Sequence, residues 1–193
     1  MSRVAAVIPT RGDQPLDEIL LSIPEEWEIV LWDNSVRQDL AVYGRYAAIE
    51  LTDAPIIYTQ DDDCVLEQDS FVTLRNAYQP GVLTANMPER FRHDFYREHC
   101  LVGFGAIFDR DLPHQAFMRY WRGHGVKIAR TWPPDDPFWL RHCDVVFTTL
   151  TTRHLVDVAH RDLPWASNPE RMWKQKDHQT SRSLMLAKAL AAR

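Results

Sequence analysis

Asp61-Asp62-Asp63 is the stretch of this chain best equipped for chemistry. Three consecutive carboxylates repel one another unless a cation neutralises them. Hard divalent ions take oxygen ligands, often one or two carboxylates together with phosphate oxygens. The apolar run Pro55-Ile56-Ile57-Tyr58-Thr59 leads into the cluster, and Cys64-Val65-Leu66 follows it. A β-branched and aromatic run of that length reads as a buried strand. In open α/β sheets, ligands bind just beyond the carboxyl ends of the strands. Residue type and position together suggest a metal-bridged phosphate ligand. A solvated acidic turn, with an aspartate capping the next helix, is the plain alternative.

The elements around the cluster favour the first reading. Residues 3–9 read as a strand, ended by Pro9 and the polar turn Thr10-Arg11-Gly12-Asp13. A short helix from Pro15 to Ser22 follows, with Pro15 at a tolerated first-turn position. Trp27 to Trp32 is a second strand, stopping at Asp33-Asn34-Ser35. Asp39 to Glu50 reads as a helix, since Leu40, Tyr43, Ala47 and Leu51 recur at helical spacing. After the triple aspartate, Asp69-Ser70 opens a helix that runs to Tyr78 and stops at Pro80-Gly81. Gly81 to Ala85 is another strand. Strand and helix thus alternate, as in a parallel α/β sheet with right-handed crossovers. If the strands are parallel neighbours, three polar clusters converge on one edge: Thr10 to Asp13, Asp33 to Ser35, and Asp61 to Asp63. Such a crevice offers groups for a base, a ribose and a phosphate.

The second half is less regular. Met87 to His99 is rich in Arg, Phe and His and reads as a loop over the site. Leu101 to Phe108 reads as a strand interrupted by Gly103 and Gly105, and glycine there often marks close approach of a ligand or another backbone. Leu112 to Trp121 is expected to be helical, and Trp132 to Pro137 a turn. Cys143 to Thr152 reads as a helix whose β-branched content leaves room for a strand. Thr180 to Ala192 is a terminal helix.

Composition narrows the function classes. With 193 residues and 45% hydrophobic content, the chain holds one globular core and is too short for two full-sized domains. A net charge of -5 and a pI of about 5.9 argue against a broad nucleic-acid face. No run of 18 apolar residues suggests a transmembrane helix. Cys64, Cys100 and Cys143 are odd in number and widely spaced, which points to a reduced, cytoplasmic compartment and away from structural zinc.

Taken together, these motifs resemble those of glycosyltransferases of the GT-A fold, closest to the exostosin-like family 64 and to small family 2 enzymes. The resemblance is strongest over residues 3–66 and recurs at 101–109, 143–150 and near 178. It implies a single α/β domain over residues 1–193 with a mostly parallel central sheet, residues 1–86 forming a nucleotide-binding half and residues 87–193 an acceptor-side half. In such enzymes the first strand is followed by a Pro-Thr or Pro-Ser turn at the nucleotide, matching Pro9, Thr10 and Arg11. The second strand ends in an aspartate that reads uracil or ribose, matching Asp33 followed by Asn34. A helix arginine facing the diphosphate matches Arg45. The D-x-D motif is Asp61-Asp62-Asp63, with Gln60 where the exostosin-like pattern has valine or threonine. A glycine segment lining the donor sugar matches Gly103 and Gly105. An acidic residue opening a late helix matches Asp144, although the second aspartate of the exostosin-like Cys-Asp-Asp-Ile pattern is missing. Asp135 and Asp136 are its rivals. A C-terminal histidine on the metal or diphosphate matches His178.

The implied chemistry is glycosyl transfer from a nucleoside-diphosphate sugar, a UDP-sugar above others. A divalent ion, Mn²⁺ or Mg²⁺, would stabilise the charge developing on the leaving diphosphate. The resemblance makes Asp63 the direct metal ligand and Asp61 a contact to ribose or donor sugar, with Asp62 doing either. His178 would complete the metal shell or hold the diphosphate, and Arg45 would offer its planar fork to phosphate or to the motif. In an inverting mechanism Asp144 is the general base. In a retaining one it binds the acceptor or stabilises the oxocarbenium ion.

Two other readings compete. A sugar-1-phosphate nucleotidyltransferase shares the sheet, but it needs a G-x-G-x-R loop where this chain has Pro9-Thr10-Arg11-Gly12. A non-catalytic nucleotide-sugar or glycan-binding module would gain nothing from three repelling carboxylates. The acceptor stays open among a small molecule, a glycan, a protein side chain and a modified nucleic-acid base. The Arg90-Arg92-Arg97 stretch and the tail from Arg171 to Arg182 would suit an anionic acceptor, or simply a solvated surface. The seven Trp residues read as core and surface packing rather than a sugar platform, with Trp121, Trp132 and Trp139 placed where an acceptor could stack as the alternative. The remaining histidines carry no assigned role.

Overall fold

The computed structural model describes residues 2–125 and 136–193. Its centre is a six-stranded sheet in the order β2-β1-β3-β6-β5-β7. The strands are β1 (Val4–Thr10), β2 (Glu28–Asp33), β3 (Ile56–Thr59), β5 (Leu83–Asn86), β6 (Ala106–Asp109) and β7 (Arg153–Val156). β1 pairs in parallel with β2 and β3, and β5 in parallel with β7; β6 lies antiparallel between β3 and β5. All strands but β6 therefore point the same way. Thr10, Asp33, Thr59, Asn86 and Val156 end them on one edge.

β1 is buried along its whole length. A strand covered on both faces needs apolar residues at every position, which is why Val4-Ala5-Ala6-Val7-Ile8 shows no alternation. The covering helices are α1 (Asp17–Ser22), α2 (Gly44–Ala48), α3 (Gln68–Ala77), α4 (Leu112–Gly123), α5 (Pro137–Leu150) and α6 (His178–Ala191). One face of the sheet carries a core of Tyr43, Tyr46, Phe108, Phe117, Trp139 and Phe147. The other carries Ile19, Trp27, Tyr58, Phe71 and Leu74. Each such side chain contributes roughly 1.5–3 kcal/mol on burial.

Several boundaries differ from the sequence reading. The expected helix from Asp39 to Glu50 is a 3₁₀ turn at Ala41–Tyr43, the short α2, and a second 3₁₀ turn at Ile49–Leu51. The expected strand from Leu101 begins only at Ala106, since Gly105 takes φ +103°, a left-handed conformation that no regular strand holds. α5 starts six residues before the expected Cys143. Asp136 accepts the Phe138 amide at 2.9 Å and Pro137 fills the first turn, a capped start that the sequence carries. Trp139 packs in the core against Phe117 and Trp121, in line with the packing reading of the Trp residues and not with acceptor stacking. Trp132 and Asp135 lie outside the described residues.

A two-stranded ribbon was not anticipated. β4 (Cys64–Leu66) pairs antiparallel with β8 (His160–Asp162). It ties the chain leaving the triple aspartate to the C-terminal segment, and Leu163 N donates to Asp63 O at 2.8 Å. Among the described residues no helix is long and apolar enough to cross a membrane.

Candidate functional site at the carboxyl edge of the sheet

β3 ends at Thr59, so Gln60 to Asp63 turn across the edge where β1 and β2 also end. Asp62 is buried, and its carboxylate is fully engaged. One oxygen accepts the Thr10 hydroxyl at 2.9 Å and the Arg11 amide at 3.3 Å. The other takes Arg171 Nη1 at 2.7 Å. Trp165 Nε1 donates to the Asp62 carbonyl at 2.7 Å, and Arg11 Nη1 donates to the Glu170 carbonyl at 3.3 Å. The turn after β1, the triple aspartate and residues 164–171 are thereby one unit.

Asp61 faces the opposite way. Its carboxylate receives Arg45 Nη2 at 2.5 Å, and the same nitrogen lies 3.5 Å from Asp144. Asp144 also accepts the Tyr46 hydroxyl at 2.7 Å. Arg45 is 1% exposed, so this cation sits between two carboxylates with almost no water to screen it. Its other terminal nitrogen, Nη1, is buried without a partner. Burial pushes the Asp144 carboxyl up, against the lowering effects of Arg45 and Tyr46.

Asp63 is the unbalanced member. Burial and the neighbouring Asp61 charge push its carboxyl up to about 7, with Arg171 the main opposing charge. Arg171 Nε stands 4.0 Å away, too far for a hydrogen bond. Among the described residues no group of three or more His, Cys, Asp or Glu side chains gathers to hold a metal. The carboxylates of Asp63 and Asp61, whose charges act on one another, are nevertheless donors of the kind a hard divalent ion takes. The excess negative charge at Asp63 is what such an ion would neutralise.

Gly103 closes the crevice. Asp61 N donates to the Gly103 carbonyl at 2.8 Å, and a Cβ on Gly103 would overlap the Asp61 carboxylate. Any side chain there would displace Asp61 from Arg45. At the end of β2, the Ser35 hydroxyl and amide hold the Asp33 carboxyl below its usual range. Asn34 spans the turns: its amide nitrogen donates to the Thr10 and Ala41 carbonyls and its oxygen accepts the Leu40 amide. Pro9 lies in β1 opposite Trp32.

The structure thus brings together Thr10, Arg11, Arg45, Asp61, Asp62, Asp63, Gly103 and Asp144. It does not bring His178 to them by any direct contact. That residue opens α6, is buried, and packs its ring 5.4 Å from the ring of His142. Asp144 also stands differently from the expectation. It lies about two turns into α5, not at its start, where a helix N-terminus no longer acts on it. Its counter-charge is Arg45. Asp136 caps α5, about 12 Å of helix rise away. Sequence reasoning missed Arg171, Tyr46 and Trp165. Arg171 was read as part of a cationic surface, whereas it is buried on Asp62; no local pattern marks a partner so distant in sequence.

No family model matches the chain, and no curated protein matches it by sequence. Solved structures do match. S. aureus TarS superposes with a TM-score of 0.50 at 11% identity over 97% of this chain. The chain spans 43% of TarS. Glucosyl-3-phosphoglycerate synthase from Mycobacterium tuberculosis, in complex with Mn²⁺, uridine diphosphate and phosphoglyceric acid, superposes with a TM-score of 0.50 at 9% identity. That match covers 97% of this chain and 78% of the synthase. The fold is the GT-A type, an α/β domain with a mostly parallel sheet flanked by helices.

Proposed function

We propose that this chain is a glycosyltransferase that moves a sugar from a UDP-sugar to an acceptor hydroxyl. The observation that carries the reading is the Arg45 bridge, which joins Asp61 of the triple aspartate to Asp144 at one end of a GT-A sheet. Donor-side and acceptor-side carboxylates that share one buried cation are positioned together. A UDP-bound neighbour of the same fold supports the choice of donor.

In this reading the nucleotide lies over the ends of β1 and β2, with Thr10, Arg11 and Asp33 beside it. Residues 1–86 carry most of these contacts and residues 87–193 the acceptor side. Asp63 and Asp61 would hold a divalent ion, Mn²⁺ or Mg²⁺, which would supply Lewis-acid stabilisation of the charge on the diphosphate. Arg45 orients Asp61 and Asp144. Transfer breaks the bond from the anomeric carbon to the diphosphate oxygen and forms one to the acceptor oxygen. The acceptor proton passes to Asp144, whose burial makes it a stronger base than a solvated aspartate. A base so placed suits inversion.

The test is binding and slow hydrolysis of a panel of nucleotide sugars, with and without Mn²⁺, on the wild type and Asp63→Ala. Metal-dependent binding of one donor, lost in the variant, is the expected result. No binding of any donor with metal present would remove the reading.

A further inference from the structure

The same edge of the sheet holds a second feature, a cavity of about 410 Å³ where β5 and β7 end. Its walls are Glu89 and Arg90 on one side and Asp157 and His160 on the other. The volume lies within the range of small-molecule sites, about 300–1,000 Å³.

The cavity is built on a buried anchor. Asn86 is 0% exposed, and its carboxamide donates to the Phe104 carbonyl at 2.9 Å and accepts the Val158 amide at 3.1 Å. This holds Phe104 beside the opening, with its ring 4.7 Å from His160 and stacked on Phe91 at 5.4 Å. Phe104 follows Gly103, which abuts Asp61, and His160 lies on β8, paired with the strand that leaves Asp63. The cavity therefore adjoins the site already described.

We propose that this cavity is the acceptor subsite and that it takes a neutral, polyhydroxylated acceptor such as the end of a glycan. The inference rests on the glycosyltransferase reading above. Asp157 accepts the Glu89 amide at 3.0 Å through one oxygen; among the described residues its other oxygen and the Glu89 carboxylate make no hydrogen bond. Arg90 lies 4.9 Å over Phe91 and 3.2 Å from His160 Nε2. Two carboxylates beside a guanidinium and an imidazole match hydroxyls, which both donate and accept. An anionic acceptor would face the carboxylates of Glu89 and Asp157. Arg90 covers Phe91, and Arg92 Nε donates to the Met87 carbonyl at 2.7 Å, so both guanidinium groups are held against the protein.

Saturation-transfer NMR on the full chain tests this, using neutral methyl glycosides of glucose, galactose, mannose and N-acetylglucosamine, with glucose 6-phosphate as the anionic probe. Calorimetry with UDP-sugars and Mn²⁺ on the wild type reads the donor site separately. The expected result is transfer to at least one neutral glycoside, weakened tenfold or more in both Asp157→Asn and Arg90→Ala, and a weaker signal for the phosphate. Arg90→Ala, at an exposed position, guards against misfolding of Asp157→Asn. No neutral signal, a signal that survives both variants, or preference for glucose 6-phosphate overturns the proposal. Donor binding without glycoside binding removes the cavity and leaves the transferase. Glycoside binding without donor binding removes the transferase and the acceptor role with it.

Discussion

Two regions of this protein bury ionisable side chains, and they keep them in opposite charge states. At the carboxyl edge, Asp61 and Asp62 each meet a buried arginine, Arg45 and Arg171, at ion-pair distance. Between α5, α6 and residues 94–99, three histidines are buried instead. Burial lowers His99 to about 3 and His142 and His178 to about 4, so all three are neutral at pH 7. Among the described residues, both nitrogens of His99 and Nδ1 of His178 lack hydrogen-bond partners. Keeping a buried charge requires a paired, well-oriented partner; giving it up requires only a group that titrates near neutrality. Charge persists at the sheet edge, where Asp61 and Asp62 each have an arginine partner; the three histidines give theirs up under burial and beside the Arg182 guanidinium, which lowers them further.

Breaking the paired side carries the largest expected effect. Asp62→Ala leaves Arg171 buried without its carboxylate and should cost about 3–5 kcal/mol in urea unfolding. Replacing both partners with apolar residues, Asp62→Leu with Arg171→Met, should recover most of that stability.

The neutral side is tested by acid. The folded values of the three histidines lie below the ordinary value, so the unfolded chain binds protons first as pH falls. Their stabilising contribution is complete above about pH 6.5 and is lost below it, at about 1.4 kcal/mol per pH unit for each histidine. His99→Phe should flatten the fall in unfolding free energy between pH 6.5 and 4.5 by about 2–3 kcal/mol. An unchanged slope would place His99 in a hydrated environment.

Asp63 sharpens the contrast because Arg171 stands 4.0 Å from it, beyond hydrogen-bond reach. Its folded value of about 7 lies above the unfolded one, so the metal-free fold loses stability as pH rises from about 4 to 7. Asp63→Asn should therefore be more stable than the wild type at pH 8 by roughly 1–3 kcal/mol and should no longer bind Mn²⁺ by calorimetry. The smallest effect is expected of Tyr46→Phe. Losing its bond to Asp144 should cost about 1 kcal/mol and shift the acid limb of the kcat/KM profile upward, since the Tyr46 hydroxyl lowers the Asp144 carboxyl.

Much of the carboxyl edge of the sheet was legible beforehand. Strands buried on both faces leave unbroken apolar runs, and each run here stops at a polar cluster: Thr10 and Arg11, Asp33 and Asn34, Asp61 to Asp63. The later elements were harder to read. α5 was shortened because Pro137 and Asp136 read as a turn before they read as a helix start. β7 and β8 were missed because Arg153-His154-Leu155-Val156 and His160-Arg161-Asp162 have too few apolar residues for a strand signal. His178 was placed by resemblance alone, and α6 turns it toward His142.

The sequence by itself determined the alternation of elements, the parallel run of the first three strands and the edge on which the aspartates lie. These follow from periodicity and from local turn chemistry, which act over a few residues. Only the tertiary structure decided which cation neutralises which aspartate. Arg171 reaches Asp62 across 109 positions, and Tyr46 reaches Asp144 across 98. Such pairs are set by packing of α2, α5 and residues 164–171 against one sheet edge, and distance in space leaves no period in the chain.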